Sequence, residues 1–295
     1  MGEKDINFPD YITFPRTFEN YKWYKPLLVL VVGLILYFIL QMLIILIFSA
    51  FYGFDNISLL ISGGYESMNS NLGSYFSYLV VAIFLPSIYI ASRIVKDRPF
   101  SSYASSRGGW NWKLYLKCLS VPLVIYVIYY IVHAMVTGPV GPNTFTITFF
   151  VICLILIPIQ CIAEEFLVRG FVMQTIGSWL KIPVMALILQ AAIFALMHPY
   201  SILGVLDVFI VGLILGFFAW KTHGLEPGSA FHSVNNFIMA IVVALGFDSS
   251  TSTITMTNFI TSIALTFVAA FALYYIGNRQ GWFSEKTDEC KLINR

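Results

Sequence analysis

Charge is scarce in this chain: Asp, Glu, Lys and Arg together make up 11% of its 295 residues, against about a quarter in an ordinary soluble domain. Apolar residues fill 58% and the mean hydropathy is +0.80, which excludes a water-soluble globular protein. No excess of positive charge compensates, since the net charge is +2 and the basic residues are scattered. A nucleic-acid partner is therefore not expected. Cysteine is also rare: four residues with no C-x-x-C spacing, Cys153 and Cys161 lying deep in apolar sequence, exclude a disulfide framework and a thiolate zinc site. The alternating segments of about ten residues that a transmembrane barrel needs are missing. What remains is an all-α, polytopic membrane protein in contact with the lipid bilayer.

Apolar stretches of about 17 to 25 residues fit the hydrocarbon core as helices, and eight are found. They run roughly Pro26 to Tyr52, Tyr75 to Ile94, Leu114 to Val136, Thr144 to Cys161 and onward, Ile182 to Met197, Leu203 to Trp220, Ser229 to Leu245 and Asn258 to Ile276. The expectation is one bundle of about eight transmembrane helices. With the N-terminus inside, all 17 Lys and Arg residues fall on one side, so both termini are expected to be cytoplasmic. The first span is too long for a signal-peptide core and is expected to be retained. The organisation expected is a cytoplasmic arm over 1–25, a membrane domain over 26–280 with its motif region at 149–245, and a cytoplasmic tail over 281–295. Trp23 and Tyr24 suggest that the arm is interfacial, with an aromatic anchor.

Ionisable residues inside apolar spans cost free energy and usually mark a site or a pathway. The densest group, Glu164, Glu165 and Arg169, follows the uncharged run from Phe149 to Ile162. Arg169 lies four residues after Glu165 and can pair with it on a helix, leaving Glu164 as the freer carboxylate, able to act as a base. The alternative is a charged cap at the membrane edge. Phe194 and His198 share the same spacing, as do His232 and Asn236. The second pair could equally be interhelical glue. Asp207, near the start of its span, is a competing acid, His133 reads as a belt residue, and His223 reads as solvated. Pro158 should kink the helix that carries the carboxylates. The turn near Leu180 to Pro183 places Glu165 and His198 at similar distances along two antiparallel arms, so they can face one another.

These three elements, in this order on hydrophobic segments, resemble the motifs of the type II CAAX prenyl endopeptidase and bacteriocin-processing (CPBP, or Abi) family. Its Glu-Glu-x-x-x-Arg is matched by Glu164, Glu165 and Arg169, its Phe-x-x-x-His by Phe194 and His198, and its His-x-x-x-Asn by His232 and Asn236. The resemblance covers about Phe149 to Leu245. It implies a glutamate-dependent intramembrane endopeptidase without a metal cofactor. In that reading Glu164 and His198 activate a water, His232 and Asn236 stabilise the oxyanion, and Glu165, Arg169 and Phe194 support them. The family also contains members with immunity or scaffold roles.

The chemistry fits. A peptide bond needs an activated nucleophile and donors aimed at the developing charge. Ser233 sits on a different helix face from His232, and Cys161 lacks a partner at i+4, so a water nucleophile is expected. The rejected alternative is a zinc site made by Glu164, His198 and His232. Arg169 beside the carboxylates argues against it. Two readings from other classes stand beside the protease: a non-catalytic scaffold or immunity protein, and a proton-coupled transporter using Asp207. The expected substrate is a membrane-associated peptide or protein, lipidated or not, and the expected location is a prokaryotic plasma membrane rather than endoplasmic reticulum.

Overall fold

The computed structural model describes residues 8–62, 71–249 and 254–284. Most of the tail expected over 281–295, and the first seven residues of the arm, lie outside the described residues. The helices are α1 (Lys25–Tyr52), α2 (Phe54–Ser62), α3 (Asn71–Ala82), α4 (Phe84–Val95), α5 (Ser101–Ala104), α6 (Trp112–Thr137), α7 (Ile147–Glu165), α8 (Gln174–Leu180), α9 (Pro183–Leu196), α10 (Ile202–Lys221), α11 (Glu226–Ala244) and α12 (Met256–Arg279). A π-helical segment, Phe166–Met173, joins α7 to α8. Among the described residues there is no strand, only an isolated bridge between Ser105 and Gly224.

The protein is an all-α, multi-pass membrane protein. Among the described residues six helical segments are long and apolar enough to cross a membrane: Lys25–Tyr52, Asn71–Val95, Trp112–Thr137, Ile147–Leu180, Ile202–Lys221 and Met256–Arg279. The other two expected spans are helical but differ in character. The seventh apolar helix, α9, has 14 residues, shorter than the roughly 20 that a perpendicular crossing needs. The other, α11, carries Glu226, His232, Asn235 and Asn236 within Glu226–Asn236, and its uninterrupted apolar run follows, over Phe237–Ala244.

Burial explains these differences. α1 turns most of its length outward, with Val31, Ile35, Phe38, Ile39 and Met42 all more than half exposed, as a lipid-facing helix does. α11 packs against α6, α7 and α10, and every residue from Gly224 to Val234 is buried. A helix buried on all sides has no lipid face to keep apolar, so it can carry polar residues if each is bonded. α7 changes character along its length. Phe149, Cys153 and Ile157 face inward at helical spacing while Leu154, Ile155 and Ile159 face out, and from Gln160 to Phe166 the whole circumference is buried. α7 continues through Pro158; the departure from α geometry comes after Glu165, where the π-helical turns begin.

The N-terminal arm differs from the interfacial arm expected. Trp23 is 69% exposed and suits an anchor, but Tyr11 and Ile12 are wholly buried. The Tyr11 hydroxyl donates to the Tyr103 carbonyl at 2.6 Å, and Gln174 Nε2 donates to the Tyr11 carbonyl at 3.0 Å. Gly177 makes this docking possible, because a Cβ there would lie 2.9 Å from the Ile12 carbonyl oxygen. Trp220 Nε1 donates to Asp10 Oδ1 at 2.9 Å and Arg16 Nη1 to the Ser178 carbonyl at 3.2 Å. The arm is a strap across the ends of α8 and α10.

Candidate active site

Two neighbouring carboxylates sit where α7 enters the centre of the bundle. The π-helical turns that follow keep Arg169 on the side of Glu165, and Arg169 Nη1 donates to Glu165 Oε1 at 2.9 Å with both side chains fully buried. Short π-helical insertions are frequent at functional sites. Gly170 lets this wide segment pack closely, since a Cβ there would lie 2.8 Å from the Tyr103 carbonyl oxygen. Arg169 Nη2 donates to the Gly212 carbonyl at 3.1 Å, and its guanidinium lies 4.4 Å from the Phe194 ring centroid. Gln190 Nε2 reaches the same Gly212 carbonyl at 2.9 Å. The cation is thus held by α7, α9 and α10 together.

Glu164 points elsewhere. Its side chain keeps 11% of its surface, whereas Glu165 keeps none. Gln160 Nε2 donates to Glu164 Oε2 at 2.7 Å, and His232 Nε2 lies 3.5 Å from the same oxygen. On its other side His232 Nδ1–H donates to Glu165 Oε1 at 3.0 Å, and Asn236 Nδ2–H donates to His232 Nε2 at 3.2 Å. Those two bonds require the neutral tautomer protonated on Nδ1. His232 therefore bridges the two glutamates, with its ring fixed from both ends. Asn235 Nδ2 donates to Asn236 Oδ1 at 3.0 Å and orients that amide.

His198 lies beyond the end of α9, which stops at Leu196, rather than on the helix with Phe194. Its Nδ1–H donates to the Phe194 carbonyl at 2.8 Å and its ring packs edge-on against Phe194 with centroids 4.8 Å apart. Phe194 in turn stands 6.0 Å from the His232 ring. With Nδ1 donating, Nε2 of His198 carries a free lone pair. Among the described residues no hydrogen bond or ion pair joins His198 to Glu164, so any link between them runs through a third group such as a water.

All seven residues singled out in the sequence lie in this region, though only Glu164, Glu165, Arg169, His232 and Asn236 form one bonded array. Asp207 does not join it: its Oδ2 accepts from Ser262 on α12 at 3.3 Å. His223 is half-buried rather than free in solvent: its Nδ1–H donates to the Pro9 carbonyl at 3.2 Å and Phe8 lies 5.5 Å from its ring. Ser233 is committed, donating to the Ser229 carbonyl at 2.7 Å and accepting from Tyr115 at 2.9 Å. Cys161, which has no partner along its own helix, is brought by packing beside His232, where it is fully buried. Gln160 and Gln190 were missed. The signal was there: each is a polar residue in an apolar run, four residues before Glu164 and Phe194 respectively. Among the described residues no three His, Cys, Asp or Glu side chains converge in a metal-ligating group.

The fold and the array define a polytopic helical membrane protein with a buried carboxylate–imidazole centre. Residues 144–238, which contain all seven motif residues, match the family described as type II CAAX prenyl endopeptidase Rce1-like. The match covers 95 of the 295 residues. The chain is also similar to the uncharacterized protein YyaK of Bacillus subtilis (strain 168), at 23% identity over 185 residues covering 57% of this chain and 60% of the relative. The match thus spans less than two thirds of that relative's length. No solved structure matches the chain significantly.

Proposed function

We propose that this chain is an intramembrane endopeptidase that hydrolyses a peptide bond of a membrane-associated protein or peptide, near its C-terminus, with a water activated by Glu164 and His198. The observation that carries the reading is His232 held between two buried glutamates, one paired with Arg169 and the other keeping 11% of its side-chain surface exposed. The Rce1-like match supports a CAAX-type peptidase.

In this reading the water is hydrogen-bonded to the Glu164 carboxylate and to the lone pair of His198 Nε2. Glu164 takes the proton as the water oxygen attacks the scissile carbonyl carbon. The oxyanion accepts from Asn236 Nδ2–H, a donor already oriented by Asn235. His232, fixed at Nδ1 by Glu165, holds the Asn236 amide beside the oxyanion through its Nε2 at 3.2 Å. Collapse breaks the C–N bond, and the same proton leaves with the amine. Preorganised donors of this kind act strongly where water is excluded. No metal is required, and the Arg169 guanidinium beside Glu165 disfavours a dication. The topology that accompanies this reading has both termini cytoplasmic, in a prokaryotic plasma membrane.

The test is cleavage of a quenched fluorescent peptide ending in a farnesylated Cys-aliphatic-aliphatic-X sequence by purified protein. Glu164→Gln, His198→Ala and His232→Ala should each lose about 10²- to 10⁴-fold in turnover, and Cys161→Ser should keep it. Wild-type turnover in Glu164→Gln would overturn the assignment. Loss of turnover in Cys161→Ser would point to a thiol nucleophile instead.

A further inference from the structure

We propose that Gln160 is a positioning residue that fixes one oxygen of the Glu164 carboxylate and leaves the other to take the proton; this rests on the reading of Glu164 as the base. Gln160 is 7% exposed and begins the stretch of α7 that is buried all round. A primary amide in a membrane helix must be bonded to be tolerated. Gln160 does this with the carboxylate one turn ahead, Nε2 donating to Glu164 Oε2 at 2.7 Å, while its Oε1 accepts from Cys161 Sγ at 3.6 Å. The amide is therefore held at both ends and cannot invert without losing both bonds.

The consequence falls on Glu164. Rotation about the last bond of a glutamate side chain is soft, so an untethered carboxylate would present either oxygen. Here Oε2 is occupied by Gln160 and faces His232 Nε2. Among the described residues nothing is hydrogen-bonded to Oε1, and the side chain retains exposed surface. Oε1 is thus the oxygen free to meet a water. A donor to the ionised form also favours that form over the protonated one. The charged and titratable groups that act on Glu164 are Cys161, Glu165 and Arg169 on its own segment and His232 on α11; His198 after α9 acts on His232 and Arg169, and Tyr78 on α3 acts on Cys161. Within this set Gln160 is the neutral donor bonded directly to the Glu164 carboxylate.

Gln160→Met keeps length and removes the donor. On the farnesylated peptide it should lower kcat about tenfold with KM changed less than twofold, and move the acid limb of the pH profile towards neutrality by about one pH unit. A second measurement needs no substrate. Dicyclohexylcarbodiimide modifies protonated carboxyl groups in apolar surroundings, and mass spectrometry of nanodisc-embedded protein should find Glu164 modified several-fold faster at pH 7 in Gln160→Met than in wild type. Unchanged kcat, acid limb and labelling would overturn the proposal. So would an aggregated Gln160→Met protein, because the bond would then be structural. If Glu164→Gln is inactive while Gln160→Met behaves as wild type, only the role of Gln160 fails. If Glu164→Gln is active, the reading of the base itself fails.

Discussion

His232 Nδ1 lies 3.0 Å from Glu165 Oε1, although 67 residues separate the two in sequence. The contact makes Glu165 more than the partner of Arg169: it sets the tautomer of the imidazole that faces Glu164. Glu165→Gln would keep the volume but present an amide that can turn an N–H towards Nδ1, favouring the wrong tautomer. Turnover should fall about 10²- to 10⁴-fold, as when the orienting carboxylate of a catalytic imidazole is converted to an amide, with far-UV circular dichroism unchanged. Turnover within twofold of wild type would show that the tautomer does not matter.

Arg169 is completely buried, and its removal would leave Glu165 as an uncompensated charge. Breaking such a pair typically costs about 3 to 5 kcal/mol. Arg169→Ala should therefore lower the detergent-phase unfolding midpoint markedly. Arg169→Lys should not restore it, because one ammonium cannot bond Glu165 and the Gly212 carbonyl in the same geometry. A midpoint in Arg169→Ala equal to wild type would contradict the assignment.

Docking of the arm should depend on pH through His223. Burial lowers the pKa of this histidine below its ordinary value, with the hydrogen bond to the Pro9 carbonyl opposing the shift. Because the docked state binds the proton more weakly than the released one, the stability contributed is present above about pH 6.5 and is lost as pH falls below it. Limited proteolysis between residues 8 and 18 should accelerate on going from pH 7.5 to 5.5. His223→Gln should flatten that dependence.

The topology can be tested with an impermeant thiol reagent. Cys118, Cys153 and Cys161 are buried, so replacing Cys290 by Ser gives a background with little labelling. A cysteine introduced at Asn143 should then react from outside intact cells, whereas one at Lys181 should react only after permeabilisation. The reverse pattern would place the termini outside.

Metal dependence gives a further check. Activity should survive prolonged treatment with a strong chelator, and purified protein should contain far less than one zinc per chain. Inactivation by chelator that zinc specifically reverses would replace the water mechanism with a metal one.

The sequence by itself determined the class of the protein and the identity of most of its site. Helical periodicity is local, so Glu165 with Arg169 and His232 with Asn236 were legible as pairs one turn apart, and scarcity of charge made each ionisable residue conspicuous. Only the tertiary structure decided how those pairs meet. That His232 lies between Glu164 and Glu165, that Gln190 and Arg169 share the Gly212 carbonyl, and that Cys161 reaches His232 all depend on the packing of α7, α9, α10 and α11, which no spacing along one helix encodes. The arm shows the same limit in a different form. Trp23 and Tyr24 make the arm read as interfacial, yet its Tyr11 and Ile12 are buried because Gly177 and Gln174, more than 160 residues away, offer a close backbone approach and a hydrogen bond. The π-helical turns after Glu165 were not legible either: a widened helix costs backbone energy that only the surrounding packing, with Gly170 against Tyr103, can offset.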